Sequence, residues 1–413
     1  MSDKQEQATP VKHRCCSVHT SPLILPKNSY IHAMASFKRF FENLLRPVDN
    51  FADSLRRRLK TLTGWGRRSP LSIAPYRGYG RPDYIRLRGR VLKYKPLYGA
   101  THDSRWKNLI DTYRRFETDE IQDATLEVHI DQHRFELITD DEGYFLLDRP
   151  LNEKVDRPAD TSWKPAKIIL KRTPWREVHL ENSAEWLLPS PRATFGVISD
   201  IDDTILQTHV TSLLKLKMLY YTLFKNAAGR RPFREVTAFY QALHQQSEEL
   251  HNPFFYVSNS PWNLYDMLQE FMHINHLPKG PILLRDIGVS SVRPAADYRG
   301  HKYETIKNIL KTYTGLSFLL IGDSGERDAD IYLDIAKAFP EQIKGIYIRD
   351  VTPDERDREV KEIAESVRQK GIPMILASDT LEAARHAAEQ GWVHPDCIDV
   401  VSDRVNRDHE NNA

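Results

Sequence analysis

The spacing of apolar residues changes near residue 190 and divides the chain into two patterns. Between Tyr84 and Leu188 apolar and polar residues alternate in short runs. These are Ile85, Leu87 and Gly89-Arg-Val91; Leu126-x-Val128-x-Ile130; Phe135-x-Leu137; Tyr144-Phe-Leu-Leu147; Lys167-Ile-Ile-Leu170; and Trp186-Leu-Leu188. Period-two alternation turns one face to a core and the other to water, as half-buried strands do. Thr139-Asp-Asp-Glu-Gly143 reads as a turn between two of them. Residues 83–189 are therefore expected to form an all-β, sandwich-like domain, with a helical insertion at 108–122. After Ser190-Pro191 the strands become short, nearly continuous apolar runs: Phe195–Ser199, Phe254–Ser258, Ile282–Arg285, Phe318–Gly322, Ile343–Ile348 and Met374–Ala377. Helical patterns fall between them at 261–275, 302–313, 329–338 and 355–369. Strands without alternation are buried on both faces, and strand–helix alternation makes parallel crossovers. The segment 192–400 is expected to be an α/β domain with a doubly wound, mostly parallel sheet.

Ahead of both lies a third pattern. Residues 1–33 are polar and aperiodic and read as a disordered tail. Within 34–66, Phe37, Phe40, Phe41, Leu44, Leu45, Val48, Phe51, Leu55, Leu59 and Leu62 recur at helical spacing, with a kink due at Pro47. The opposite face holds Lys38, Arg39, Arg46, Arg56, Arg57, Arg58 and Lys60 against Glu42, Asp49 and Asp53. A basic amphipathic helix of this kind either docks on the protein's own core or lies on an anionic membrane surface. Residues 63–82, rich in Gly, Pro and Arg, read as a linker.

Composition narrows the class further. With 413 residues, 40% of them hydrophobic and 28% charged, the chain has the make-up of a soluble protein of two domains plus tails. The net charge of +2 singles out no partner, and none is expected among nucleic acids. Cys15, Cys16 and Cys397 cannot build a disulfide framework, which points to a reducing compartment. No apolar run approaches the roughly 18–20 residues that span a bilayer. The start, Met1-Ser-Asp-Lys-Gln-Glu, is unlike a signal peptide. The expected location is cytoplasmic, at most peripheral to a membrane.

The candidate chemistry begins at Phe195-Gly-Val-Ile-Ser-Asp200-Ile-Asp202-Asp203-Thr204. Three acids in four residues stand just past the carboxyl end of a buried strand, where open α/β sheets place their ligand sites. They repel one another unless a cation or a hydrogen-bond network compensates, so the segment predicts a metal site. An isolated Asp-rich turn also serves calcium or a helix cap. Three further polar positions follow. Ser258 and Asn259 end the second strand, Lys302 stands near the start of a helix, and Gly322-Asp323-Ser-Gly-Glu-Arg-Asp328 follows the fourth strand.

In this order the four segments resemble the four motifs of the haloacid-dehalogenase-like (HAD) phosphohydrolases. The resemblance implies Asp200 as nucleophile, because a carboxylate can form an aspartyl-phosphate and split one hard displacement into two. It implies Mg²⁺ held by Asp200, Asp323 and the backbone carbonyl of Asp202, since this hard ion takes oxygen ligands. The Asp202 side chain would be general acid and then base. Ser258, Asn259 and Lys302 would bind the phosphoryl group, Asp328 would hold Lys302 or a metal-bound water, and Thr204 would support the loop. Asp203 is read as a bystander.

Longer strings carry a narrower resemblance over roughly 190–350. Ser199-Asp-Ile-Asp-Asp-Thr-Ile205, Tyr256-Val-Ser-Asn-Ser-Pro-Trp-Asn-Leu-Tyr265, Leu284-Arg-Asp286, His301-Lys302 and Gly322-Asp-Ser-Gly-Glu-Arg-Asp-Ala-Asp-Ile-Tyr332 are similar to the actin-patch-protein type of phosphatidate phosphatase. That family implies Mg²⁺-dependent hydrolysis of phosphatidate to diacylglycerol and phosphate, and bacterial relatives carry a β domain ahead of the catalytic one. Leu213-Leu-Lys-Leu-Lys-Met-Leu-Tyr-Tyr-Thr-Leu-Phe224 is apolar nearly all round and suits either a buried helix or a guide for acyl chains. Two rival readings stay open: a phosphatase of the same mechanism acting on a soluble phosphoester or phosphoprotein, and a non-catalytic adaptor working through its β domain.

Overall fold

The structure is a computed structural model that describes residues 70–93, 120–157, 159–201, 234–247, 250–285, 298–325, 327–351 and 355–410. The expected tail at 1–33, the helix at 34–66, most of the insertion at 108–122 and the apolar segment 213–224 lie outside them. The described residues all fall in one compact unit, Ser69–Ala413.

The alternating half of the chain forms eight strands: β1 (Leu71–Pro75), β2 (Gly78–Arg81), β3 (Tyr84–Lys93), β4 (Thr125–Ile130), β5 (His133–Ile138), β6 (Tyr144–Pro150), β7 (Ser162–Thr173) and β8 (Arg176–Leu188). They join in one hydrogen-bonded path, β1-β3-β2-β8-β7-β4-β5, with β6 paired to β3. Every second residue of β4 is buried, as the period-two pattern requires. Inward residues such as Leu87, Val128, Phe145, Ile168 and Trp186 meet in one core, so the sheet folds back over itself. Gly143 closes the β5–β6 turn at φ +77°, with Asp140 Oδ1 accepting from the Glu142 and Tyr144 amides.

Two expectations need correction. Residues 71–81, read as linker, are β1 and β2. The glycines there reflect close packing: a Cβ on Gly80 would lie 3.0 Å from the Trp186 ring. Residues 120–122, read as the end of a helical insertion, are not helical, and Glu120 forms a β-bridge with Leu92.

The second half contains a six-stranded, wholly parallel sheet. Its strands are β9 (Gly196–Asp200), β12 (Phe254–Pro261), β13 (Ile282–Arg285), β14 (Phe318–Asp323), β15 (Ile343–Arg349) and β16 (Met374–Ala377). A small hairpin, β10 (Gln245–Ser247) and β11 (Leu250–His251), stands apart. The described helices are α1 (Arg234–His244), α2 (Tyr265–Ile274), α3 (Tyr298–Thr312), α4 (Asp328–Ala338), α5 (Glu355–Arg368), α6 (Thr380–Glu389) and α7 (Asp396–Glu410). All of β9 and β14 is buried, whereas half the residues of the edge strands β13 and β16 are only half-buried. The strand order is β13-β12-β9-β14-β15-β16. The chain therefore winds outward from β9 to β13, returns to lay β14 beside β9, and winds outward the other way. The seam between β9 and β14 is the point where the order reverses, and open α/β sheets leave a crevice there at the carboxyl ends.

The two halves share their cores. Tyr76 and Tyr144 of the β region belong to the cluster on one face of the parallel sheet, and Tyr79 and Leu187 to the cluster on the other. Tyr76 stacks on Trp262 at 4.7 Å between centroids and lies 4.5 Å from Tyr265. The Arg88 guanidinium sits 4.9 Å from the Trp262 centroid and 4.3 Å from that of Tyr144. Tyr76→Ala is expected to cost about 3–5 kcal/mol, the range for large aromatic-to-alanine truncations in cores. Urea denaturation would measure it, and a cost below about 1 kcal/mol would show that the junction is loose.

Candidate active site

Sheet register brings the predicted positions together. Val257 is level with Asp200, and Ile321 is level with Ser199. Asp200 ends β9, Asp323 ends β14, and Ser258 stands one residue beyond the level of Asp200 on β12. Lys302 comes from the second turn of α3, and Asp328 is the first residue of α4. Asp200, Ser258, Lys302, Asp323 and Asp328 are all buried, none more than 1% exposed. Asn259 is half-buried next to Ser258. Asp202 and Thr204 lie outside the described residues.

The charges are arranged around the ammonium of Lys302. Its Nζ stands 2.9 Å from Asp200 Oδ1 and also donates to Asp328 Oδ1. Asp328 Oδ2 accepts from the backbone amide of Asp323, and Asp323 Oδ1 accepts from Gly325 N at 2.6 Å. Ser258 Oγ accepts from Ser260 N at 2.9 Å, which fixes its rotamer. One carboxylate oxygen from each of Asp200, Asp323 and Asp328 lies within 4.8 Å of the others. Three buried, hard oxygen donors at that spacing can hold a metal ion, and their like charges favour one.

The layer beneath is built as tightly. Ser199 Oγ donates to the carbonyl oxygen of Asp200 at 2.9 Å, so the Tyr240 hydroxyl, 2.8 Å from Ser199 Oγ, must be the donor to it. Burial pushes the Tyr240 hydroxyl well above its ordinary pKa and keeps it a neutral donor. The Tyr332 hydroxyl donates to the Ile321 carbonyl at 2.9 Å, and burial, followed by the nearby Asp328 charge, raises it as well. Tyr240 has no sequence signal and Tyr332 appears there only as the end of the Gly322–Tyr332 string, because a buried aromatic in a helix gives no sign of what its hydroxyl meets. Arg349, level with Asp323 on β15, was missed too.

Gly322 has a steric reason. A Cβ there would lie 2.8 Å from Asp328 Cβ and 2.9 Å from Asp328 Cγ. The glycine makes the room in which Asp328 reaches Lys302.

Residues 195–350 match the family model described as phosphatidate phosphatase APP1, catalytic domain. The resemblance carried by the motifs is supported by that match. The chain is 31% identical over 239 residues to phosphatidate phosphatase APP1 of Saccharomyces cerevisiae, covering 55% of this chain and 39% of that protein. It is 29% identical over 224 residues to an uncharacterized protein of Schizosaccharomyces pombe, covering 53% of this chain and 35% of that one. The chain thus spans less than two fifths of the length of these curated relatives. Among solved structures, a carbohydrate acetylesterase from Xanthomonas citri aligns over 73% of this chain and 74% of its own at 10% identity and a TM-score of 0.21, too slight a likeness to bear on fold or function.

Gly322→Ala is expected to displace Asp328 and with it Lys302. Displacements of about 1 Å at a reacting centre cost roughly 100-fold in rate. The variant should remain folded by circular dichroism while losing most turnover; wild-type turnover in a folded Gly322→Ala protein would contradict the steric argument.

Proposed function

We propose that the chain is a Mg²⁺-dependent phosphatidate phosphatase that releases phosphate and diacylglycerol through an aspartyl-phosphate on Asp200. The buried cluster of Asp200, Asp323, Asp328 and Lys302 at the reversal point of the parallel sheet carries the reading. The family match over 195–350 supports the choice of reaction, and the name of the yeast relative supports the lipid substrate. An HAD-like fold for 192–400 is part of the proposal, and the parallel sheet with acids at its carboxyl ends supports it. Asp200 and Asp323 would hold Mg²⁺, with the backbone carbonyl of Asp202. The ion would supply positive charge against the phosphoryl oxygens.

The residues divide the work. The Asp200 carboxylate attacks phosphorus, forming an O–P bond as the ester P–O bond breaks. Asp202 gives its proton to the departing alkoxide, which leaves as the alcohol. Asp202 then takes a proton from water, whose oxygen attacks phosphorus and frees Asp200 and inorganic phosphate. Lys302 offers fixed positive charge to the phosphoryl oxygens, and Asp328 keeps its ammonium in place before substrate arrives. Ser258 and Asn259 would orient the same oxygens. Membrane association through 34–66 belongs to the proposal and rests on the basic amphipathic pattern alone. Among the described residues no helix is long and apolar enough to cross a membrane.

Asp200→Asn in the presence of Mg²⁺ should abolish phosphate release from phosphatidate micelles with folding retained, and EDTA should do the same to the wild type. Turnover surviving in Asp200→Asn would falsify the covalent route.

Asp202→Asn should slow hydrolysis of phosphatidate, whose alkoxide is a poor leaving group, far more than that of p-nitrophenyl phosphate, whose leaving group needs no proton. Equal losses on the two substrates would remove the acid role.

A further inference from the structure

Arg349 ends β15 in register with Asp323, the last residue of β14. Level residues of adjacent parallel strands project to the same face, so its side chain leaves the sheet beside a carboxylate of the cluster. Its Nη1 is buried and has no hydrogen-bond partner among the described residues. Buried donors are nearly always satisfied, and a cationic one without an acceptor calls for an explanation. Next to it is a mostly apolar cavity of about 40 Å³, lined among others by Val236, Phe239, Tyr240 and Tyr347, with Arg349 and Asp379 as its charged residues. Asp379 is already engaged there, since its Oδ1 caps α6 by accepting from Glu382 N at 2.8 Å. The space admits an oxygen or two, not an acyl chain. Tyr240 ties the cavity to the nucleophile position through Ser199 and the Asp200 carbonyl.

Charge balance points the same way. Asp200, Asp323 and Asp328 against Lys302 leave the described cluster at −2, which one divalent cation neutralises. A phosphomonoester dianion would then enter a neutral cluster with neither of its charges offset, and Arg349 supplies one positive charge against them. We propose that Arg349 and its cavity form an anion subsite that holds a non-bridging oxygen of the phosphomonoester dianion and so favours monoesters over singly charged diesters. This rests on the phosphatase reading above. Arginine suits the task because its planar donors match phosphate geometry.

The test uses the full chain with Mg²⁺, wild type beside Arg349→Gln and Arg349→Met. Inorganic phosphate is titrated twice, by thermal shift and as a competitive inhibitor of phosphatidate hydrolysis in mixed micelles. Both variants should bind phosphate at least about tenfold more weakly and raise the KM for phosphatidate by a similar factor. Arg349→Lys should recover part of both, and the Mg²⁺ dependence should not move. Arg349 is half-buried and its Nη1 makes no hydrogen bond, so neither neutral variant should melt far below the wild type without ligand. Unchanged phosphate affinity in a folded variant, beside a wild type that binds and releases phosphate, would overturn the subsite alone. A wild type that neither binds phosphate nor hydrolyses the ester would bring down the phosphatase reading and the subsite together.

Discussion

The arrangement of the parallel sheet turns on one buried ion pair, Lys302 between Asp200 and Asp328. Taking charges out of water is costly, and removing one partner of such a pair typically destabilises by about 3–5 kcal/mol because the other is left stranded. The fold holds the pair by rigid means. Each carboxylate comes from the end of a fully buried strand or the first turn of a helix, and the ammonium from a helix whose Ile306, Ile309 and Leu310 are locked in the core. These elements reach a common point because the strand order reverses between β9 and β14. Gly322 and the Tyr240–Ser199 relay are local adjustments to the same demand.

What could be read from the sequence follows from how burial writes itself there. Central strands such as Phe318-Leu-Leu-Ile-Gly-Asp323 are apolar on both faces, so their runs are continuous and their polar ends stand out. The acids and the lysine were visible for that reason, as breaks in the pattern at strand ends and a helix start. β1 and β2 were not visible, because they are short and their glycines serve close packing, which looks the same as a linker in composition. Helix α6 does carry a signal: Asp379-Thr-Leu-Glu382 is an N-cap followed by an acid at the third position, and Asp379 does cap it. Arg349 left no trace, since an arginine closing an apolar strand looks like any solvated charge until the register sets it beside Asp323.

The β region is tied to the sheet in a way that bears on the site. Tyr76 and Tyr79 stand three residues apart, yet they meet opposite ends of β12. Tyr79 packs edge-on against Phe255 near its start, and Tyr76 stacks on Trp262 just past its end. Between these anchors lies Ser258-Asn259-Ser260, the segment that would face the phosphoryl group. On the outer flank Lys279, just ahead of β13, pairs with Glu185 at 2.7 Å and lies 4.5 Å from the Trp163 ring. A strand pinned at both ends has little freedom to shift its middle. A phosphoryl site needs its donors fixed before charge develops, because reorganisation during reaction is itself a barrier. The β region and the parallel sheet therefore share aromatic contacts on both sides of Ser258-Asn259-Ser260, and these contacts hold β12 from its start to its end.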